Sequence, residues 1–282
     1  MPTSKMPTWF ITGASSGFGL AFAKYALDRG YSVVATARSV NKLEELAAQA
    51  PDRVLTHKLD VTVVDDAEQA IAAAVLRFGR IDVLINNAGY GIVGAVEETP
   101  IAEFRAQMDT NFFGALSVTK AALPHFRRQK SGAIVNVSSF GGQLSFPGAG
   151  SYSASKFALE GMSEALAQEL APFGIKVLIV EPGAFRTNFN ADALKYMPAI
   201  DAYKATVGRT REYARNLDGT QVGDPFKAAR AIELALGAAT TPLRLQVGAD
   251  SAAAVKGHAE QLLKDLTNWE KVAVETQVSA DS

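Results

Sequence analysis

The sequence predicts a doubly wound α/β domain, a parallel sheet of about seven strands with helices on both faces. Three observations carry that reading. Short runs rich in Val and Ile alternate with longer Ala- and Leu-rich runs, the rhythm of βαβ units. The short runs lack the polar alternation of a half-exposed sheet, so both faces are covered. The 282 residues, 48% apolar and 20% charged, can form one sizeable core, and no linker or repeat divides them. The expectation is a single domain over residues 1–282.

Each element can be justified in order. Residues 8–12 (TWFIT) form the first strand and a Gly/Ser turn follows. A helix over 17–28 ends at Gly30, the residue suited to a left-handed C-terminal position. Strand 32–37 (SVVATA), helix 41–49 and strand 54–59 come next. A helix over 65–78 opens with Asp65, Asp66 and Glu68, which suit the positive end of its dipole. Strand 81–85 (IDVLI) runs into Asn-Asn-Ala-Gly, and a long helical stretch spans 101–129. Strand 133–137 precedes a Gly/Ser/Pro loop and a helix over 151–173. Strand 176–180 leads to Pro182-Gly183, and a last strand covers 243–247. Two segments break the rhythm. Residues 184–224 read as a long mixed stretch of the kind that forms a lid. Residues 249–282 read as a packing helix, 252–269, and a polar tail ending Ser-Ala-Asp-Ser.

Composition excludes several function classes. The 28 basic and 29 acidic residues leave a net charge of −1, which argues against a nucleic-acid partner. The chain has no cysteine, hence no disulfide, thiol nucleophile or thiolate metal site, in keeping with a reducing compartment. His57, His125 and His258 do not fall at i, i+4 spacing, so no metal is expected. No apolar run reaches the ~18 residues of a membrane span. Met-Pro-Thr-Ser-Lys at the start lacks the apolar stretch of a secretory signal, so the expected location is cytoplasmic.

The turn after the first strand reads Thr12-Gly13-Ala14-Ser15-Ser16-Gly17-Phe18-Gly19. Glycines there allow a tight turn and let backbone amides approach a pyrophosphate at a helix N-terminus. The second strand then selects the dinucleotide. NAD sites place an acid about 20 residues on, where it accepts from the ribose hydroxyl. Here that place is followed by Arg38, whose guanidinium pairs with a 2′-phosphate, so NADP(H) is expected. Further on, Tyr152 and Lys156 lie one helical turn apart on one face. An ammonium beside a phenol is expected to lower its pKa from near ~10, which suits it to proton transfer. Such pairs are common on surfaces. Ser138-Ser139, at the C-terminal edge of the preceding strand where open α/β folds bind ligands, gives this one a chemical setting.

Taken together, these motifs resemble the short-chain dehydrogenase/reductase family, with its Rossmann fold. TGASSGFG (12–19), LDVT (59–62), NNAG (86–89), Asn111, NVSS (136–139), YSASK (152–156) and PG (182–183) occur in family order over residues 8–248. The resemblance implies reversible hydride transfer between NADP(H) and a carbonyl or secondary alcohol. It makes Tyr152 the acid/base, Lys156 the residue that tunes it and bonds the nicotinamide ribose, and Ser139 the holder of the substrate oxygen. Asn111 would kink its helix and hold a relay water. For the cofactor it implies Gly13, Ser15, Ser16, Gly17, Phe18, Gly19 and Arg38, the adenine-flanking Asp60 and Val61, then Asn87, Ala88 and Gly89. Pro182, Gly183, Phe185 and Thr187 would border the nicotinamide. Phe18 departs from the family's usual isoleucine but stays apolar. PGAFRTNF (182–189) and VGAD (247–250) resemble the branch containing 17β-hydroxysteroid and retinol dehydrogenases, which implies a bulky apolar substrate. Phe185, Phe189, Leu194, Tyr196, Met197, Tyr203 and Tyr213 are then candidates for its pocket. The family's usual interface, at 101–129 and 151–173, implies a homodimer or homotetramer. The competing reading is a non-catalytic NADP(H)-binding redox sensor, which would be expected to lack part of the Ser/Tyr/Lys set. An epimerase or dehydratase would need a larger substrate domain.

Overall fold

The computed structural model describes residues 6–278. The expectations for the first five residues and for the polar ending 279–282 lie outside the described residues. The chain runs β1 (Thr8–Ile11), α1 (Gly17–Asp28), β2 (Ser32–Ala37), α2 (Glu44–Gln49), β3 (Val54–Lys58), α3 (Val64–Phe78), β4 (Val83–Asn86) and β5 (Gly91–Val93). It continues α4 (Ile101–Met108), α5 (Ala115–Gln129), β6 (Gly132–Val137), α6 (Gly150–Leu170), β7 (Ile175–Pro182), α7 (Phe189–Asp192) and β8 (Leu194–Tyr196). The last elements are α8 (Val207–Leu217), α9 (Pro225–Gly237), β9 (Arg244–Val247) and α10 (Ala249–Val274).

Seven strands form one parallel sheet in the order β3-β2-β1-β4-β6-β7-β9. The sequence expects these seven, and their bounds differ by one or two residues. Each face carries its own core. Trp9, Ile11, Phe22, Val33, Ile85 and Ile232 pack on the side of α1 and α9. Phe10, Val34, Ile71, Leu84, Val118 and Phe126 pack on the side of α3 and α5. Alternate residues of β1 therefore feed opposite cores, the physical reason its run is apolar without a break. The chain leaves β1 towards β3 and returns to β4, so the C-terminal ends of β1 and β4 flank a switch-point crevice.

Three expectations need correction. Residues 184–224 are not a structureless lid: α7, β8 and α8 lie within them, and β8 pairs in parallel with β5 as a second, two-stranded sheet. Strands of three residues are too short to show a period, so neither was visible in the sequence. The helix at 101–129 is continuous but not uniformly α-helical. A π-helical segment at Asp109–Gly114 joins α4 to α5 and contains Asn111. The C-terminal helix is longer than expected, reaching Val274. Gly30 sits at φ +82° just past α1, as the sequence reading requires.

Candidate active site

The parallel register brings the motif-bearing ends of the strands to one edge. Asn86 of β4 pairs with Asn136 of β6, Val137 with Val180 of β7, and Pro182 with Val247 of β9. Above that edge lies a cleft of about 1670 Å³.

One wall is the glycine turn. Gly13 and Gly17 take φ of +65° and +53°, the left-handed region that disfavours other residues. Asn87 braces this turn by donating from Nδ2 to the carbonyls of Thr12 (2.9 Å) and Gly13 (3.2 Å). Thr12 Oγ1 in turn accepts from the amides of Asn87 (2.9 Å) and Ala88 (3.0 Å). Ser16, which caps α1, makes no side-chain hydrogen bond to the helix amides. The first turn of α1 thus presents N–H groups and a positive dipole end to the cleft. At the far end Arg38 stands on the wall with Lys42, one turn further along and missed in the sequence reading. No acid of β2 opposes them; Asp60, also on the wall, holds the amide and hydroxyl of Thr62 at 3.0 and 2.7 Å. Those bonds, chiefly the one from the Thr62 hydroxyl, keep its carboxyl below the usual range.

The facing wall comes from β6, the turn after it, and α6. Ser139 Oγ accepts from Gly141 N at 3.1 Å, which fixes the hydroxyl oxygen. Tyr152 hydrogen-bonds Ser139. Lys156 is 5% exposed, its Nζ donates to Val137 O at 2.9 Å, and it lies 5.7 Å from the Tyr152 ring centre. The expected effect of the ammonium on the phenol is not what this arrangement gives. Protein packed around the Tyr152 hydroxyl pushes its pKa up to about 12, against the Ser139 bond. Burial pushes Lys156 down to about 8, with Glu160 opposing. The sequence shows the i, i+4 spacing but not that the ammonium is turned towards a strand carbonyl.

Asn111 and Gly19 stand behind the walls. Asn111, 1% exposed, donates from Nδ2 to Tyr90 O (2.9 Å) and Ser155 Oγ (3.0 Å), and its Oδ1 accepts from Tyr90 N (3.1 Å). A side chain at Gly19 would collide with Gly13 O, so Gly19 lets α1 close onto the turn. The other predicted cofactor residues, Gly13, Ser15, Ser16, Gly17, Phe18, Arg38, Asp60, Val61, Asn87, Ala88, Gly89, Pro182, Gly183, Phe185 and Thr187, all line the cleft.

Of the seven apolar candidates, Phe185, Phe189, Leu194 and Tyr213 reach the cleft wall. Tyr196, Met197 and Tyr203 do not: the first lies under Arg215, the second is buried, and the third donates to Glu97. Three residues besides Lys42 were missed. Phe140 and Phe146 stack 6.0 Å apart in the loop after β6 and both line the cleft. Asp250, at the start of α10, accepts from Ala184 N at 2.7 Å and lies where a Gly183 side chain would project. The aromatic pair in a Gly/Ser/Pro loop was a readable signal; the reach of Asp250 back to residue 184 was not.

The described residues contain no helix long and apolar enough to cross a membrane. The model of the short chain dehydrogenase family matches residues 7–197. The chain belongs to the short-chain dehydrogenase family. It is 42% identical over 267 residues to oxidoreductase BOA17 of Botryotinia fuckeliana, covering 94% of this chain and 97% of that one. A short-chain dehydrogenase from Streptomyces avermitilis superposes with a TM-score of 0.91 at 48% identity, covering 96% of this chain and all of that one. Two more distant short-chain dehydrogenase neighbours at 26% identity hold nicotinamide cofactors. They are a Thermococcus sibiricus alcohol dehydrogenase with 5-hydroxy-NADP (TM-score 0.71, covering 86% and 96%) and a Brucella melitensis 3-ketoacyl-(acyl-carrier-protein) reductase with NADH (TM-score 0.72, covering 86% and 96%). The chain is thus an oxidoreductase that uses a nicotinamide cofactor.

Proposed function

We propose that this short-chain dehydrogenase is an NADP(H)-dependent carbonyl reductase and secondary-alcohol dehydrogenase, with Tyr152 as its acid/base. The observation that carries the reading is the convergence of Tyr152, Ser139 and Lys156 on a wall facing the glycine turn, across one cleft. The cleft fits a dinucleotide phosphate. It offers an uncapped helix N-terminus, left-handed glycines and, beyond the second strand, two cations that no acid of β2 opposes. Gly13, Ser15, Ser16, Gly17, Phe18 and Gly19 would hold or shape the pyrophosphate site, and Arg38 with Lys42 the 2′-phosphate. Asp60 and Val61 would flank the adenine, Asn87, Ala88 and Gly89 the middle of the cofactor, and Pro182, Gly183, Phe185 and Thr187 the nicotinamide end. When bound, the nicotinamide supplies or accepts the hydride.

The remaining work falls to the chain. Ser139 and Tyr152 donate hydrogen bonds towards the substrate oxygen, where negative charge grows during reduction. Gly141 N fixes Ser139 Oγ, and a bound substrate oxygen would take the hydroxyl proton that Ser139 otherwise turns to Tyr152. Tyr152 passes its proton from Oη to that oxygen. Lys156, with a pKa near 8, remains charged at neutral pH and would bond the nicotinamide ribose. Asn111 fixes the π-helical segment to Tyr90 and α6, and its amide oxygen and the Lys156 ammonium both border the space beside Gly89, where a relay water would sit. Phe140, Phe146, Phe189, Leu194 and Tyr213 make the substrate end apolar and roomy, in favour of a bulky apolar carbonyl.

The test is NADPH consumption with ketones and aldehydes from small aliphatics to steroids and retinal, with NADH alongside. Turnover with NADPH, abolished in Tyr152→Phe, is the expected result. Equal turnover with NADH overturns the cofactor assignment. NADPH binding with no turnover across the series favours the sensor reading.

A further inference from the structure

The C-terminal helix is the most exposed apolar surface of the molecule. α10 is 26 residues long, about 39 Å at 1.5 Å per residue. Its first turns rest on β9 and on the turn at Phe140–Gly142, with Ser251 fully buried and Ala254, Val255 and His258 half-buried. From Ala259 to Val278 every residue is exposed. That free portion carries Leu262 (55% exposed), Leu263 (64%), Leu266 (63%), Trp269 (66%) and Val272 (51%). An isolated helix facing water has no reason to carry them, since exposed apolar patches of this kind mark interaction sites.

The order of these residues identifies the occupant. Ala252, Val255, Ala259, Leu262, Leu266, Trp269 and Ala273 follow one another at alternating spacings of three and four. That is the a/d seam of a coiled coil sustained over three heptads. Antiparallel pairing of this seam with a second copy of itself sets Ala259 against Trp269, Leu262 against Leu266 and Val255 against Ala273, each layer occurring twice. Small faces large in the outer layers and medium faces medium in the centre, which is the volume matching a packed seam requires. The flanking positions agree. The same register sets Lys256 opposite Glu270, twice, with Leu263 beside Leu263 of the second copy at the two-fold axis. Asp265 facing its own copy is the one like-charge contact. Parallel pairing is worse on both counts: alanine meets alanine in three layers, and Asp265 faces Glu270 twice. A lipid surface suits the helix poorly, because α10 has three lysines against four acids and no basic face.

We propose that α10 is a self-association element: two copies of this chain dock through an antiparallel coiled coil of their C-terminal helices, centred near residue 264. This surface is separate from the helices at 101–129 and 151–173 through which the family resemblance implies assembly. It puts the two catalytic bodies at opposite ends of a helical rod, and it does not depend on the proposed reaction.

Light scattering on the full-length protein, together with cross-linking, tests this. Leu262→Glu and Leu266→Glu replace exposed side chains, so the fold and the helix content by circular dichroism should be unchanged. Each is expected to halve the mass of the wild-type assembly; an unchanged mass overturns the proposal. Charge exchange fixes the direction. Lys256→Glu alone and Glu270→Lys alone should each weaken association, and the double variant should restore it. Tighter association of Glu270→Lys alone signals parallel pairing and overturns the proposal. The chain has no cysteine of its own. A single Leu263→Cys substitution should therefore cross-link two copies on mild oxidation, while Lys271→Cys, on the outer face, should not. Equal cross-linking of both overturns the proposal, and so does a monomeric wild type that sediments with anionic phosphatidylserine vesicles.

Discussion

The two longest uniformly α-helical elements among the described residues break the usual partition of residues in opposite ways. α6, 21 residues, buries polar groups: Ser151, Ser153, Ser155, Lys156, Glu160 and Ser163 are all 5% exposed or less. α10, 26 residues, exposes Leu262, Leu263, Leu266 and Trp269. Each buried polar group of α6 demands partners, and most are present. Lys156 bonds Val137 O, Ser163 takes the amide proton of Asn136, and Ser138 donates to Glu160 at 2.7 Å. Glu160 also holds Arg244 at 3.0 Å, and Arg244 holds Glu164 at 2.6 Å. The apolar groups of α10 demand cover, and nothing among the described residues supplies it. Buried polarity on α6 therefore accompanies the candidate active site. Exposed apolarity marks where it meets something else.

The contrast can be broken by substitution, and the largest effect should fall on α6. Tyr152→Phe should lower kcat by roughly 10²–10⁴-fold, the usual worth of a positioned acid/base, with NADPH affinity nearly unchanged by fluorescence titration. Near wild-type turnover would sink the role given to Tyr152. Next comes the cofactor wall that α6 faces. Arg38→Asp should weaken NADPH binding by about 10–100-fold, the range of one charge-assisted bond, and leave NADH binding equal or better.

Lys156→Met sharpens the comparison by separating function from stability. Activity should collapse, yet the fold should gain. Burial lowers the Lys156 pKa from 10.5 to about 8, so the folded state disfavours the ammonium by about 3 kcal/mol below pH 8. Between pH 8 and 10.5 the folded protein binds fewer protons than the unfolded chain. Wild-type stability should thus rise relative to Lys156→Met between pH 8 and 10.5, which urea unfolding across that range can follow. The lost Val137 bond reduces the gain of the variant at pH 7 by about 1 kcal/mol. Parallel stability curves for the two proteins would refute the buried charge.

Glu160→Gln tests the network behind Ser138. It removes one of the three carboxylates around Arg244 and should destabilise the fold by about 1–3 kcal/mol, with a smaller loss of kcat through the Ser138-Ser139 segment. The smallest effect on catalysis belongs to α10. Leu266→Glu should leave kcat and KM within about twofold, because residue 266 lies well beyond the part of the helix that touches the cleft.

Much of the fold could be read from the chain because a buried parallel strand needs an unbroken apolar run and a dinucleotide turn needs glycines. Thr12–Gly19 and the seven main strands declare themselves in this way. The Tyr152–Lys156 pair was legible from helical spacing and from the serines on the strand before it. The segment 184–224 was not, because β8 and β5 are each three residues and pair across about a hundred residues of chain. Asp250 was equally hidden, since it reaches the cleft through a contact with Ala184 that no local pattern encodes.

The sequence by itself determined the doubly wound architecture, the family, the residue types of the candidate site and the seam along α10, because each rests on a local period or spacing. Tertiary structure alone decided where the Lys156 ammonium points, which of the seven apolar candidates face the cleft and that the α10 seam is left uncovered. Those depend on burial and on partners distant in the chain, and desolvation, which sets the state of every polar group on α6, exists only once the chain has packed.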